Sequence, residues 1–99
     1  MNAIDDILKA LANPARREIL AWLKNPEKEF SPQSHPFSEG VCVGKIFERS
    51  QLSQSTVSAH LATLERAGLV TSKRIGQWML YKRNEKTIKD FLGQMKLDL

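Results

Sequence analysis

SQSTVSAHLATLERAG, residues 53–68, decides the fold. Ser53 is a hydroxyl residue able to cap the free amides of a first helical turn. Val57, Leu61 and Leu64 recur at the spacing of one buried stripe, and Gly68 supplies the left-handed residue on which many helices end. The stretch predicts a helix over about residues 54–67. Before it, Val43 to Arg49 has a short helical pattern and Ser50-Gln51-Leu52 a turn. After it, Leu69 to Ile75 and Trp78 to Arg83 are strand-like runs rich in Val, Ile, Thr, Trp and Tyr, joined by Gly76-Gln77 as a β-hairpin. Toward the N-terminus, Ile4, Ile7, Leu8 and Leu11 mark a helix over residues 3–12. Asn13-Pro14 starts a second that runs to about Lys24, with Ile19, Leu20 and Leu23 inward. Residues 25–40, NPEKEFSPQSHPFSEG, contain three prolines and no sustained period. They are expected to form a long loop pinned by Phe30 and Phe37. Ile88, Phe91, Leu92 and Met95 predict a C-terminal helix. The order specifies a mainly α winged helix-turn-helix, with about five helices and a two-stranded antiparallel ribbon, in a single domain over residues 1–99.

Ninety-nine residues, 41% hydrophobic and 26% charged, suffice for one modest core and argue against disorder. No apolar run reaches the roughly 18 residues of a membrane span. Asp5 and Asp6 stand where a secretory leader would be basic, so a cytoplasmic, nucleoid-associated protein is expected. The net charge of +4 is uneven: residues 1–40 carry −1, residues 41–84 carry +5 and residues 85–99 carry 0. A local positive field of this kind attracts polyanions, because each phosphate contact releases condensed counterions.

A helix can lie in the major groove with its N-terminal residues at the base edges while the preceding helix braces it. With Val57, Leu61 and Leu64 inward, Gln54, Ser55, Ser58 and Ala59 face outward near the start of the helix, flanked by Thr56, His60 and Thr63. Gln54 can pair with adenine or reach a phosphate. The hydroxyls of Ser53, Ser55, Thr56 and Ser58 suit backbone oxygens, and His60 and Thr63 are assigned to the same surface. In the hairpin, Lys73 and Arg74 before the tip and Gln77 at it can touch phosphates or the minor groove, with Lys82 and Arg83 as weaker candidates. Trp78, Tyr81 and Phe91 are expected in the core. The surface could instead be an ordinary polar helix face, and the fold could serve as a protein-docking module without DNA; the +5 segment favours double-stranded DNA. Paired carboxylates, a nucleophile beside a base and a phosphate-binding glycine loop are all missing from the sequence, so no enzyme is expected.

LSQSTVSAHLATLERAGLVTSKRIGQWMLYKRN, residues 52–84, resembles the helix-turn-helix and wing of ArsR-type metalloregulators, and ALANPARREILAWL, residues 10–23, resembles that family's second-helix signature. The resemblance implies a homodimer joined through the N- and C-terminal helices, and a repressor that leaves a palindromic operator when an inducer or redox signal arrives. The apolar stripes of the terminal helices fit such a dimer. Metal-sensing relatives begin their third helix with a Cys-x-Cys pair, whereas Gly40-Val41-Cys42-Val43-Gly44 retains one cysteine. Residues 85–99 have no histidine where other relatives bind zinc. His35 and His60 lie in elements with different roles, so no metal or other cofactor is expected. Cys42, the sole cysteine, is either a small packing residue or a sensing thiol, and the second role requires a lowered pKa.

Overall fold

The computed structural model describes residues 3–99. Six α-helices and a three-stranded antiparallel sheet are present among them: α1 Ala3–Leu11, α2 Pro14–Lys24, α3 Pro26–Glu29, β1 Val41–Cys42, α4 Val43–Ser50, α5 Gln54–Arg66, β2 Val70–Ile75, β3 Trp78–Arg83 and α6 Glu85–Asp98. Side-chain caps start three of the longer helices, at Asn13 and Ser53 as the sequence predicts and at Asn84 besides. Asn13 accepts hydrogen bonds from the amides of Ala15 (2.8 Å) and Arg16 (3.2 Å), Ser53 from Thr56 (3.2 Å) and Asn84 from Thr87 (3.2 Å). Each cap satisfies donors that would otherwise be orphaned at a helix start, worth about 1 kcal/mol apiece.

The core gathers Ile7 and Ala10 of α1, Ile19, Leu20 and Leu23 of α2, Ile46 of α4 and the α5 stripe, closed by Leu69, Val70 and Phe91. Leu92, read as part of the inward stripe of α6, is 59% exposed, because Phe91 has the buried position and the following residue turns outward. Trp78 also departs from the expected burial: it is 46% exposed at the start of β3.

The region 25–40 is more ordered than its composition suggests. It contains α3 and a 3₁₀ turn at Phe37–Glu39, and Phe30 is buried while Phe37 packs against the core's edge. One amide side chain holds the end of this segment. Gln33 Nε2 donates to the carbonyls of Gly40 (2.8 Å) and His35 (3.0 Å), and Gln33 Oε1 accepts from the Cys42 amide (2.9 Å). Cys42 then pairs with Leu80, and Val41 with Tyr81, which makes β1 a third strand beside the hairpin in the order β1-β3-β2. A two-residue strand has no period to detect, and it exists through pairing with β3 and the Gln33 bonds.

Gly40 enters this strand at φ +120, and a Cβ there would lie 3.1 Å from both Leu80 Cβ and Tyr81 O. Backbone of this kind is essentially confined to glycine. Gly40→Ala is therefore expected to destabilise the fold by about 1–3 kcal/mol, measured as a lower denaturant midpoint. An unchanged midpoint would show that the β1 entry tolerates a side chain.

Candidate nucleic-acid interface

The α4–turn–α5 unit begins with the Gln51 backbone, which adopts φ 59 and ends α4 with its amide bonded to Phe47 O at 3.3 Å. Ser50 Oγ donates to Phe47 O (3.0 Å) and accepts from the Leu52 amide (3.1 Å), locking the same turn. Val57, Leu61 and Leu64 are fully buried, which fixes the rotation of α5 about its axis. Gln54, Ser55, Ser58 and Ala59 are consequently exposed together on the first turn and a half. Ser53 and Thr56 are exposed as well, but their hydroxyls are partly occupied: Ser53 Oγ donates to Thr56 Oγ1 at 2.7 Å and lies 3.3 Å from Ser55 Oγ. This hydroxyl chain orders the end of the helix that faces outward.

His60 and Thr63 stand apart from that group. The half-buried His60 ring turns toward α2, where the Arg16 guanidinium donates to Nδ1 at 3.3 Å. Burial and the adjacent Arg16 charge both lower its pKa. Thr63 Oγ1 donates to Ala59 O (3.1 Å) and accepts from Arg66 (3.3 Å), at the rim of a hollow of about 340 Å³ shared with Asp6, Lys9 and Arg16. Arg16 is the residue that sequence reasoning undervalued. Besides His60 it donates to Ala10 O (2.7 Å) and Lys9 O (3.2 Å), so one guanidinium joins the end of α1 and the start of α2 to α5. No period marks such a role; only its five fixed donors make it available.

In the ribbon, β2 and β3 pair from Val70↔Arg83 to Ile75↔Trp78, and Gly76 turns at φ +60 to expose Gln77. Arg74 is exposed and has no side-chain partner among the described residues. Lys73 is instead engaged by the carboxylate of Glu39 on the 3₁₀ turn. The hydrogen bond and charge of Lys73 hold the Glu39 pKa below the usual carboxylate value, with Lys82 and His35 adding to the pull. Lys82 Nζ reaches Ser38 O at 3.4 Å, and Arg83 pairs with Glu85 at 2.9 Å.

Cys42 is buried, and desolvation pushes its thiol pKa up against the opposing pull of Lys45. Burial and an upward shift are what a packing residue shows, whereas a sensing thiol requires a lowered pKa. His35 lies edge-on to Trp78 (6.2 Å between centroids) and His60 lies on Arg16, so neither imidazole is gathered with Cys42.

Comparison with known proteins agrees with this arrangement. The family model described as "Bacterial regulatory protein, arsR family" matches residues 38–72, from the 3₁₀ turn through α4 and α5 into β2. The chain is 38% identical over 96 residues to the HTH-type transcriptional regulator YbzH of Bacillus subtilis, covering 95% of this chain and 96% of that one. It is 35% identical to the transcriptional activator HlyU of Vibrio cholerae, over 84% of this chain and 65% of that one. Among solved structures, an ArsR-like transcriptional regulator from Rhodococcus sp. RHA1 superposes with a TM-score of 0.72 at 20% identity, covering 95% of this chain and 76% of that one, which establishes the shared fold.

Two measurements check the site's electrostatics. A neutral, half-buried His60 takes up a proton more readily when the chain unfolds, so the unfolded state binds more protons between the ordinary value near 6.5 and the lowered folded value. Stability is expected to fall as pH drops from about 6.5 through that window. His60→Gln should flatten this part of a pH series of denaturant midpoints; identical slopes would contradict the assignment. The second concerns Glu39: Glu39→Gln is expected to tighten binding of the chain to duplex DNA a few-fold. The gain should shrink in a Lys73→Ala background; the same gain in both backgrounds would show general repulsion rather than a hold on Lys73.

Proposed function

The chain belongs to the arsR family of bacterial regulatory proteins and is a DNA-binding transcription regulator, and on that premise we propose how it engages its operator. The observation that carries the proposal is the exposed start of α5, in the basic middle segment of the chain that also contains the wing. Gln54, Ser55, Ser58 and Ala59 enter the major groove, with Gln54 reading a base edge and the hydroxyls, including those of Ser53 and Thr56, reaching phosphates. Arg74 and Gln77 follow the backbone or minor groove beside it, and Lys73 joins them when Glu39 releases it. His60 braces α5 against α2 through Arg16, and Thr63 bonds within α5 to Ala59 and Arg66.

The functional unit is a homodimer formed by the terminal helices of one winged domain spanning residues 1–99. Support comes from apolar side chains left uncovered on both: Leu8 of α1, and Leu92 and Leu97 of α6, the last 82% exposed. An apolar hollow also lies between Ile4, Ile7 and Phe91. Two-fold symmetry then demands an imperfect palindrome with half-sites one helical turn apart, or a small multiple of it. Occupying a promoter excludes polymerase with no further contact, whereas activation needs an additional docking surface. We therefore favour repression, relieved by an inducer, although one relative is named an activator. The described residues include no helix long and apolar enough to cross a membrane, and the setting proposed is the cytoplasm, at the nucleoid, with no catalytic role.

Selection of duplexes from a random pool, followed by binding of the enriched sequence at several salt concentrations, tests the reading. A palindrome bound two chains per duplex with steep salt dependence is expected, and Arg74→Ala should lower the slope of log K against log salt by about one. Failure to enrich any sequence, or a slope unaffected by Arg74→Ala, would contradict it.

A further inference from the structure

A cavity of about 410 Å³ lies where the loop, the start of α4 and the tip end of the wing's second strand meet, with Cys42, Gly44, Lys45, Glu48 and Trp78 in its lining. It is separate from the outward face of α5 and from the terminal helices. Three features give it a defined chemistry. Trp78 is 46% exposed although it sits in a paired strand, and the edge-on contact with His35 fixes the indole there. A large aromatic surface left in water beside a concavity is ready to cover a flat apolar partner. Lys45 is the cationic member of the lining. Its ammonium donates one hydrogen bond to Ser31 Oγ (2.7 Å), which anchors it and leaves two donors.

The surroundings sharpen the preference. Gly44 leaves open space where a side chain would stand, since a Cβ there meets nothing within 4 Å. Cys42 makes no side-chain cap to α4, so the partial positive end of that eight-residue helix adds to the Lys45 charge. The Glu48 carboxylate, one turn further along α4, repels negative charge placed near it, so an anionic group is favoured only where it sits on the Lys45 ammonium. The exposed indole, the open space over Gly44 and the one lysine in the lining together describe a ligand with a flat ring and a single anionic group.

We propose that this cavity is a binding site for a small aromatic carboxylate, its ring against Trp78 and its carboxylate on Lys45. The occupant bridges the wing to α4, the helix that braces α5.

The test uses the unaltered protein without DNA, so its failure leaves the DNA-binding reading untouched. Calorimetry and ligand-observed NMR would compare 2-naphthoate with its neutral isostere, 2-naphthamide. The acid is expected to bind with Kd below about 1 mM and the amide at least about fivefold more weakly. Trp78→Ala should weaken binding of the acid about five- to tenfold, and Lys45→Met should make acid and amide equal. Trp22→Phe, in a different hollow lined by Asn13, Ser50 and Leu52, should leave both unchanged. No binding of 2-naphthoate, equal affinity for the amide in the unaltered protein, or indifference to Trp78→Ala in a folded variant would overturn the proposal.

Discussion

Burial of one stripe, Val57, Leu61 and Leu64, decides what the rest of the molecule can present. Each fully buried side chain of this size contributes about 1.5–3 kcal/mol, so the three together rival a large part of a small domain's net stability of about 5–15 kcal/mol. Rotating α5 by one residue would expose the stripe, and no polar contact on the helix comes near that cost. Gln54, Ser55 and Ser58 face outward because those three residues face inward. The polar groups tune this arrangement: Ser53 caps the helix and Arg16 ties its rear to α1 and α2.

The segment from residue 25 to 42 has a similar division of labour. Phe30 is buried, and the Gln33 amide satisfies three backbone groups, so the ordering of this segment rests on apolar burial and on bonds that would be costly to leave unmade. The surface pairs Arg49–Glu29 and Lys73–Glu39 reach solvent, which screens them and leaves them a small part in stability. Such pairs suit adjustment. Glu39 engages a wing lysine through a solvent-screened pair, while β1, entered through Gly40, pairs with β3 of the wing.

Where a structural feature has local chemistry, it was legible in the sequence: the Asn13 and Ser53 caps, the α5 stripe, Gly68 and the Gly76-Gln77 turn lie where the residues place them. Features that depend on distant partners were not. The strand β1 exists through β3 and Gln33, α3 is a single turn among prolines, and Trp78 looks like core by residue type yet stays half exposed beside His35 and a cavity. Within the site, exposure of the first turn of α5 followed from the period. The engagement of His60 by Arg16 and of Lys73 by Glu39 spans 44 and 34 residues, beyond the reach of any spacing rule.

The most direct measurement of the central claim is a titration of the ¹⁵N-labelled chain with an enriched duplex, followed amide by amide. The account expects the largest changes at the start of α5, from Gln54 to Ala59, and at the wing from Arg74 to Gln77. Residues of α6 should move little except through symmetric dimer contacts. Changes centred on α2 or α6, with the start of α5 and the wing tip unmoved, would contradict it.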